Sequence, residues 1–141
     1  MINYVTGFMF SEDKQYVVLI RKRTPSWQNN KVNAPGGKIE KGESIEQAIV
    51  REFHEETGVE TRQADWKTVI TLTRPKLKKI YFLCCFSDQV YLAKSMEKEE
   101  IFLSKVAELP DNVVPNLRWL IPLILEEHVF INIPIDYVSV K

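Results

Sequence analysis

Three glutamates crowd the end of one short segment, Arg51-Glu52-Phe53-His54-Glu55-Glu56. On a helix, Glu52 and Glu56 are four positions apart and Glu55 is three from Glu52, so all three occupy neighbouring positions of one face. Like charges at that spacing destabilise a helix by about a few tenths of a kcal/mol per pair. The helix dipole also disfavours negative charge at a C-terminal end. A solvated acidic face is the plain alternative, but a local rule broken at several adjacent positions marks a site. A hard divalent cation would offset the repulsion. Magnesium takes oxygen ligands, retains waters and is shared between carboxylates and substrate phosphates. Arg51, one turn before Glu55, can orient a carboxylate or neutralise part of the cluster. Gly36 and Gly37 let the backbone approach an ion or a phosphate, because no side chain intervenes. A metal held here would polarise a phosphoryl group and lower the pKa of a bound water. The residue chemistry thus implies magnesium-assisted attack of water on a phosphate compound.

The elements that must position these groups follow from hydrophobic pattern and turn residues. Residues 3–10 and 16–23 are apolar, β-prone runs separated by the polar turn Ser11-Glu12-Asp13-Lys14-Gln15, which predicts a hairpin. Residues 24–43 hold Pro25, Pro35, Gly36, Gly37 and Gly42 and read as a long, functional loop. Ser44 with Gln47 forms a capping box. Ile45, Ala48, Ile49 and Phe53 make the apolar stripe of the helix, and Gly58 stops it. Strands are expected over 66–73 and 79–87, with a short one at Ile101-Phe102-Leu103. Trp66, Tyr81, Phe82 and Phe86 are read as strand residues of the core. Residues 94–100 should be exposed. A last helix covers roughly 116–127, with Pro122 either kinking it or starting it. No repeat or linker divides the chain, so residues 1–141 are expected to form one domain.

Composition narrows the function. The 141 residues carry 19 Lys and Arg against 19 Asp and Glu, and zero net charge argues against a general nucleic-acid or membrane binder. Any anionic partner must be met by local features. Cys84 and Cys85 are adjacent in an apolar run and are expected to be reduced and structural. The opening residues lack a signal-peptide pattern, and no apolar run approaches a membrane span. The expectation is a cytoplasmic protein, monomer or homodimer, with a small-molecule nucleotide substrate and no nucleic-acid or membrane partner.

Gly37, five residues, Glu43, seven residues, then Arg51-Glu52-Phe53-His54-Glu55-Glu56-Thr57-Gly58-Val59 resembles the Nudix box with every fixed position filled. The preceding Pro35-Gly36-Gly37-Lys38 and the order of elements agree with that family. The resemblance implies an α/β fold, an α/β/α sandwich with a mixed β-sheet. It also implies hydrolysis of a pyrophosphate bond in a nucleoside diphosphate linked to another group, with Mg2+ or Mn2+. Carried over by position, Glu52, Glu55 and Glu56 are implied metal ligands, helped by the Gly37 or Gly36 carbonyl. One of the glutamates, or a later acid, is the implied base for the attacking water. Among later acids Glu97 fits best, with Glu99 and Glu100 as rivals and a solvated surface as the alternative for all three. Glu43 and Arg51 are implied supports of the loop–helix geometry.

The substrate is less legible. Arg21 and Arg23 alternate along the second strand, and relatives meet phosphate near Arg23; a charge that protects a sheet edge is the alternative. Lys38 is a further candidate for substrate binding beside the box. Val32-Asn33-Ala34-Pro35-Gly36-Gly37 resembles a segment in which MutT-type enzymes place a base-reading asparagine, although Val32 stands where tryptophan is usual. Asn33 and Asn116 are the candidate base contacts, since an amide side chain donates and accepts together. A helix N-cap is the alternative for Asn116. Trp27 could stack on a base or pack on its own domain. Pro75 resembles a feature of the ADP-ribose pyrophosphatase branch, but loops contain proline anyway. The resulting expectation is a MutT-like (deoxy)nucleoside triphosphate substrate, with ADP-ribose or a nucleoside diphosphate sugar as the alternative, and a nucleotide-sensing module of the same fold as the non-enzymatic one. His54 and His128 are read as non-functional.

Overall fold

The structure is a computed structural model that describes residues 1–23, 26, 29–126 and 135–138. Trp27, His128 and residue 127 of the expected last helix lie outside the described residues.

A run that is β-prone apart from Asn3 and Gly7 forms β1 (Ile2–Phe10), and Ser11–Gln15 turns the chain into β2 (Tyr16–Arg21). The two strands share a register only at Phe10↔Val17 and then diverge. The gap between them is filled by the loop that follows. β3 (Val32–Asn33) pairs with β2, and β4 (Gly36–Lys38) pairs with β1 at Tyr4, Val5 and Thr6. The expected loop over 24–43 therefore contains two short strands. Their side-chain pattern is too brief for periodicity to show, and only the open edges of β1 and β2 create them. The amide of Gly7 also donates to the Pro35 carbonyl at 2.8 Å, pinning the loop at its bend.

Ser44 caps α1 (Ile45–Thr57), and both halves of the capping box with Gln47 are formed. Gly58 ends the helix with φ 76°. β5 (Lys67–Arg74) and β6 (Lys78–Phe86) form a hairpin, and β6 runs parallel to β1 along its whole length. β7 (Glu100–Lys105) covers the outer edge of β2. α2 (Leu117–Leu125) carries Pro122 in its interior. The proline neither starts the helix nor leaves it fully bonded, since its nitrogen has no hydrogen to give the Arg118 carbonyl. β8 (Ile135–Val138) pairs parallel to β5. No sequence signal singled it out, because its four residues gain their order from the β5 edge.

Alternation along the strands sorts the core into two layers. Phe8, Phe10, Val17 and Leu19 face α2, packing with Leu117, Leu120 and Ile121. Val5, Met9, Val18 and Ile20 face α1, packing with Ala48, Ile49 and Phe53. The result is a mixed sheet with a helix on either side, the expected α/β/α sandwich. Three expectations need correction. β2 ends at Arg21, so Arg23 lies beyond the strand and does not alternate with Arg21 on it. Phe86 is 42% exposed, stacked on Phe10 at 5.4 Å where β6 leaves the sheet. Trp66 is buried in the core as expected, but it precedes β5. Cys84 and Cys85 are free and buried, and burial lifts their thiols to about 11 and about 12.

Candidate active site

The divergence of β1 and β2 sets the Gly36–Gly37 strand against the side of α1. A Cβ at Gly37 would overlap the Glu52 carboxylate, and one at Gly36 would overlap the Val5 carbonyl. Both positions need glycine for close approach. The amide of Gly36 donates to Glu56 Oε1 at 2.8 Å. Glu56 is buried, and that burial raises its pKa to about 7 against the opposing pull of the Gly36 amide and Lys22. Glu52 is half-buried beside it and is likewise raised, first by burial. The Arg51 guanidinium lowers it, and the charges of Glu55 and Glu97 raise it further.

Arg51 fastens the loop to the helix. Its Nε and Nη2 donate to the two oxygens of Glu43 at 2.6 and 2.9 Å, and Nη2 donates to the Lys38 carbonyl at 3.0 Å. Its Nη1 reaches Glu52 at 2.9 Å and Glu55 at 3.4 Å. The paired guanidinium holds the Glu43 carboxyl below its ordinary range. Glu43 also accepts from the Glu40 amide at 2.8 Å, closing the turn that precedes Ser44. Among the described residues no three His, Cys, Asp or Glu side chains converge as a metal-holding group. Glu52 and Glu55 are both drawn onto Arg51, while Glu56 turns to the loop.

The segment after β6 packs across the end of α1. The amides of Lys94 and Met96 donate to the carbonyls of Thr57 and Glu56 at 3.0 and 3.4 Å, and Met96 covers Gly58. This brings Glu97 within electrostatic reach of Glu52. Glu99 is likewise within electrostatic reach of Glu56, but both rivals hold cation partners. Glu99 accepts from Lys22 Nζ at 2.9 Å and the Arg23 amide at 2.7 Å. Glu100 pairs with Arg21 at 3.1 Å. The Arg23 side chain is exposed, as is that of Lys38, which touches the site through its carbonyl.

Two hollows lead away from the glycine strand. One, of about 240 Å³, is lined by Gly36, Gly37, Thr6, Asn33, Lys22 and Lys78. The second, of about 320 Å³, shares Thr6, Asn33, Lys78 and Ile80 with it and ends at Arg74 and Asn116. Asn33 and Asn116 thus face one trough. Asn33 Oδ1 accepts from the Ala34 amide at 2.8 Å, leaving its NH₂ as the group to offer. Asn116 occupies the N-cap position of α2 in helical geometry, but its side chain makes no capping hydrogen bond. The capping alternative therefore does not account for it. Pro75 lies in the β5–β6 turn. Arg74 and Lys78, at the base of that turn, were not singled out by sequence; the only trace is a basic residue at each end of a five-residue hairpin tip.

The fold is a three-layer sandwich in which the acids at the end of one helix are set against a glycine strand. The NUDIX domain model matches residues 3–123, and the chain belongs to the Nudix family. It is 38% identical over 58 residues to the 8-oxo-dGTP diphosphatase of Escherichia coli, covering 41% of this chain and 44% of that protein. It is 36% identical over 67 residues to the uncharacterized Nudix hydrolase YvcI of Bacillus subtilis, covering 48% and 39%. These matches span less than half the length of either relative. Among solved structures, MutT from Aliivibrio salmonicida and Vibrio cholerae aligns with TM-score 0.68 at 25% identity, over 85% of this chain and 96% of that one. MutT from Bacillus halodurans aligns with TM-score 0.69 at 19% identity, over 90% and 84%, a likeness of fold.

Proposed function

We propose that this protein hydrolyses a pyrophosphate bond in a nucleoside diphosphate derivative, releasing pyrophosphate and a mononucleotide from a (deoxy)nucleoside triphosphate. The observation that carries the reading is the contact of the α1 acids with the Gly36–Gly37 strand, at the head of a trough that runs to Asn33 and Asn116. The likeness to 8-oxo-dGTP diphosphatase and to MutT structures supports this substrate class over ADP-ribose or a nucleoside diphosphate sugar.

The donors present fit a hard divalent ion: carboxylate oxygens of Glu52, Glu55 and Glu56, and the backbone carbonyl of Gly37 or Gly36. Burial makes Glu52 and Glu56 reluctant to stay negative alone, and a cation beside them removes that reluctance. Mg2+, when bound, would neutralise phosphate charge and acidify a water. Arg51 and Glu43 hold the loop and helix in register, so that the glycine strand stays open to phosphate. Glu97, exposed and with no ion-pair partner among the described residues, is the proposed acceptor of the attacking water's proton. The water oxygen forms the new bond to phosphorus as the bridging P–O bond breaks, and the electron pair leaves with pyrophosphate. Asn33 and Asn116 orient the base and Lys22 offers charge along the trough, while Arg23 and Lys38 are exposed and line neither hollow.

A substrate panel tests the proposal. With Mg2+, pyrophosphate should appear from dNTPs or oxidised dNTPs. AMP formation from ADP-ribose alone would move the assignment to the alternative branch. Nucleotide binding without any product would make the protein a sensing module.

A further inference from the structure

Arg74 and Lys78 are Cα partners across the β5–β6 hairpin, and both line the hollow that holds Asn33 and Asn116. Like charges directly opposite on a sheet destabilise the pair. Here nothing offsets them: among the described residues no carboxylate pairs with either side chain, and no acidic residue lines either hollow. Arg74 Nε is buried with no hydrogen-bond partner. Lys78 leans over the Tyr4 ring at 5.8 Å, and burial, then the charge of Arg74, lowers its pKa. A fixed pair of cations, one with an unused buried donor, is the complement of a phosphate or other polyoxygen anion.

Position narrows the ligand further. Lys78 lines both hollows, so it stands at the junction between the glycine strand and the asparagine-lined end. If the diphosphate lies on the glycine strand and the base lies by Asn33 and Asn116, the sugar passes this junction. This step rests on the proposed nucleotide reading. We propose that Arg74 and Lys78 form a specificity subsite for a phosphate on the sugar hydroxyls of the substrate, favouring nucleotides phosphorylated at the 2′ or 3′ position as well as at the 5′ position. Such a substrate needs no new chemistry. The same bridging bond breaks, and the product is a nucleoside bisphosphate.

Calorimetry with products tests the subsite without turnover. Guanosine 3′,5′-bisphosphate and guanosine 5′-monophosphate are titrated into the wild type, Arg74→Gln, Lys78→Gln and the conservative Arg74→Lys. The wild type should bind the bisphosphate at least about tenfold more tightly, the scale of one charge-assisted contact. The ratio should fall towards one in either glutamine variant and be partly kept in Arg74→Lys. Equal wild-type affinities for the two ligands overturn the subsite, as does a preference that survives both glutamine substitutions. A thermal melt of each variant separates loss of the subsite from loss of the fold. Hydrolysis of GTP against its 3′-phosphorylated counterpart then separates the two claims. Tight bisphosphate binding with no hydrolysis of either compound sinks the pyrophosphohydrolase reading and leaves the subsite standing.

Discussion

Arg51 grips Glu43 through two parallel hydrogen bonds of 2.6 and 2.9 Å, joining the loop before α1 to the middle of the helix. Both side chains are more than three-quarters shielded from solvent. A fork-to-fork pair of this kind fixes direction as well as distance. Replacing Arg51 by Met leaves Glu43, Glu52 and Glu55 without their shared cation, so the variant should lose about 2–4 kcal/mol of stability. Urea unfolding measures it; a loss under about 0.5 kcal/mol would mean that the loop is held some other way.

The two glycines should fail differently on substitution. Gly37→Ala presses on the end of a carboxylate side chain, which can move. It should fold with a loss of about 1–3 kcal/mol and displace Glu52 from the loop. Gly36→Ala presses on the Val5 backbone, which cannot yield without breaking the β1–β4 pairing, and should destabilise more. Parallel thermal melts and turnover assays check the order. Gly36→Ala more stable than Gly37→Ala would contradict the close-approach account.

Glu56 makes stability pH-dependent in metal-free protein. Its pKa is about 7 in the folded state against an ordinary 4.5. The folded state therefore holds the proton more tightly, and this favourable contribution is complete below pH 4.5. It is lost as pH rises through 7, with a ceiling of about 3 kcal/mol. In chelator, the denaturation midpoint of the wild type should fall between pH 4.5 and 8, and Glu56→Gln should lack that component. Parallel curves for the two proteins would rule out a buried, proton-binding Glu56.

The later acids are separable by kinetics. Glu97→Gln should lower kcat by about 100-fold or more with little change in KM, the usual cost of a lost general base. Glu99→Gln breaks the Lys22 and Arg23 contacts and should act mainly on stability and KM. If Glu99→Gln, and not Glu97→Gln, abolishes kcat, the proton goes to Glu99.

The acidic helix was legible because its residues are local: the capping box, Gly58 and the 3–4 spacing of the glutamates all act within one element. Glu43 and Arg51 were legible as supports through their place in the box, but their direct pairing was not. What stayed hidden depends on long-range packing. β3 and β4 arise from edges left open when β1 and β2 part, and nothing in Val32–Lys38 alone predicts them. Asn116 has the residue type and position of an N-cap, yet its backbone is already helical, its side chain makes no cap bond, and the residue lines the trough. Arg74 and Lys78 drew no reading from sequence, because only the hairpin register sets them opposite each other on the hollow that Asn33 also lines.

The central claim is that Glu52, Glu55 and Glu56, set against Gly36 and Gly37, form a metal-dependent pyrophosphohydrolase site. The most direct measurement is product analysis of a (d)NTP panel with Mg2+, for the wild type and a folded Glu52→Gln variant. The account predicts pyrophosphate and mononucleotide from the wild type, abolished by chelator, and a loss of at least about 1000-fold in the variant. Wild-type-like release from Glu52→Gln, or release that persists in chelator, would contradict it.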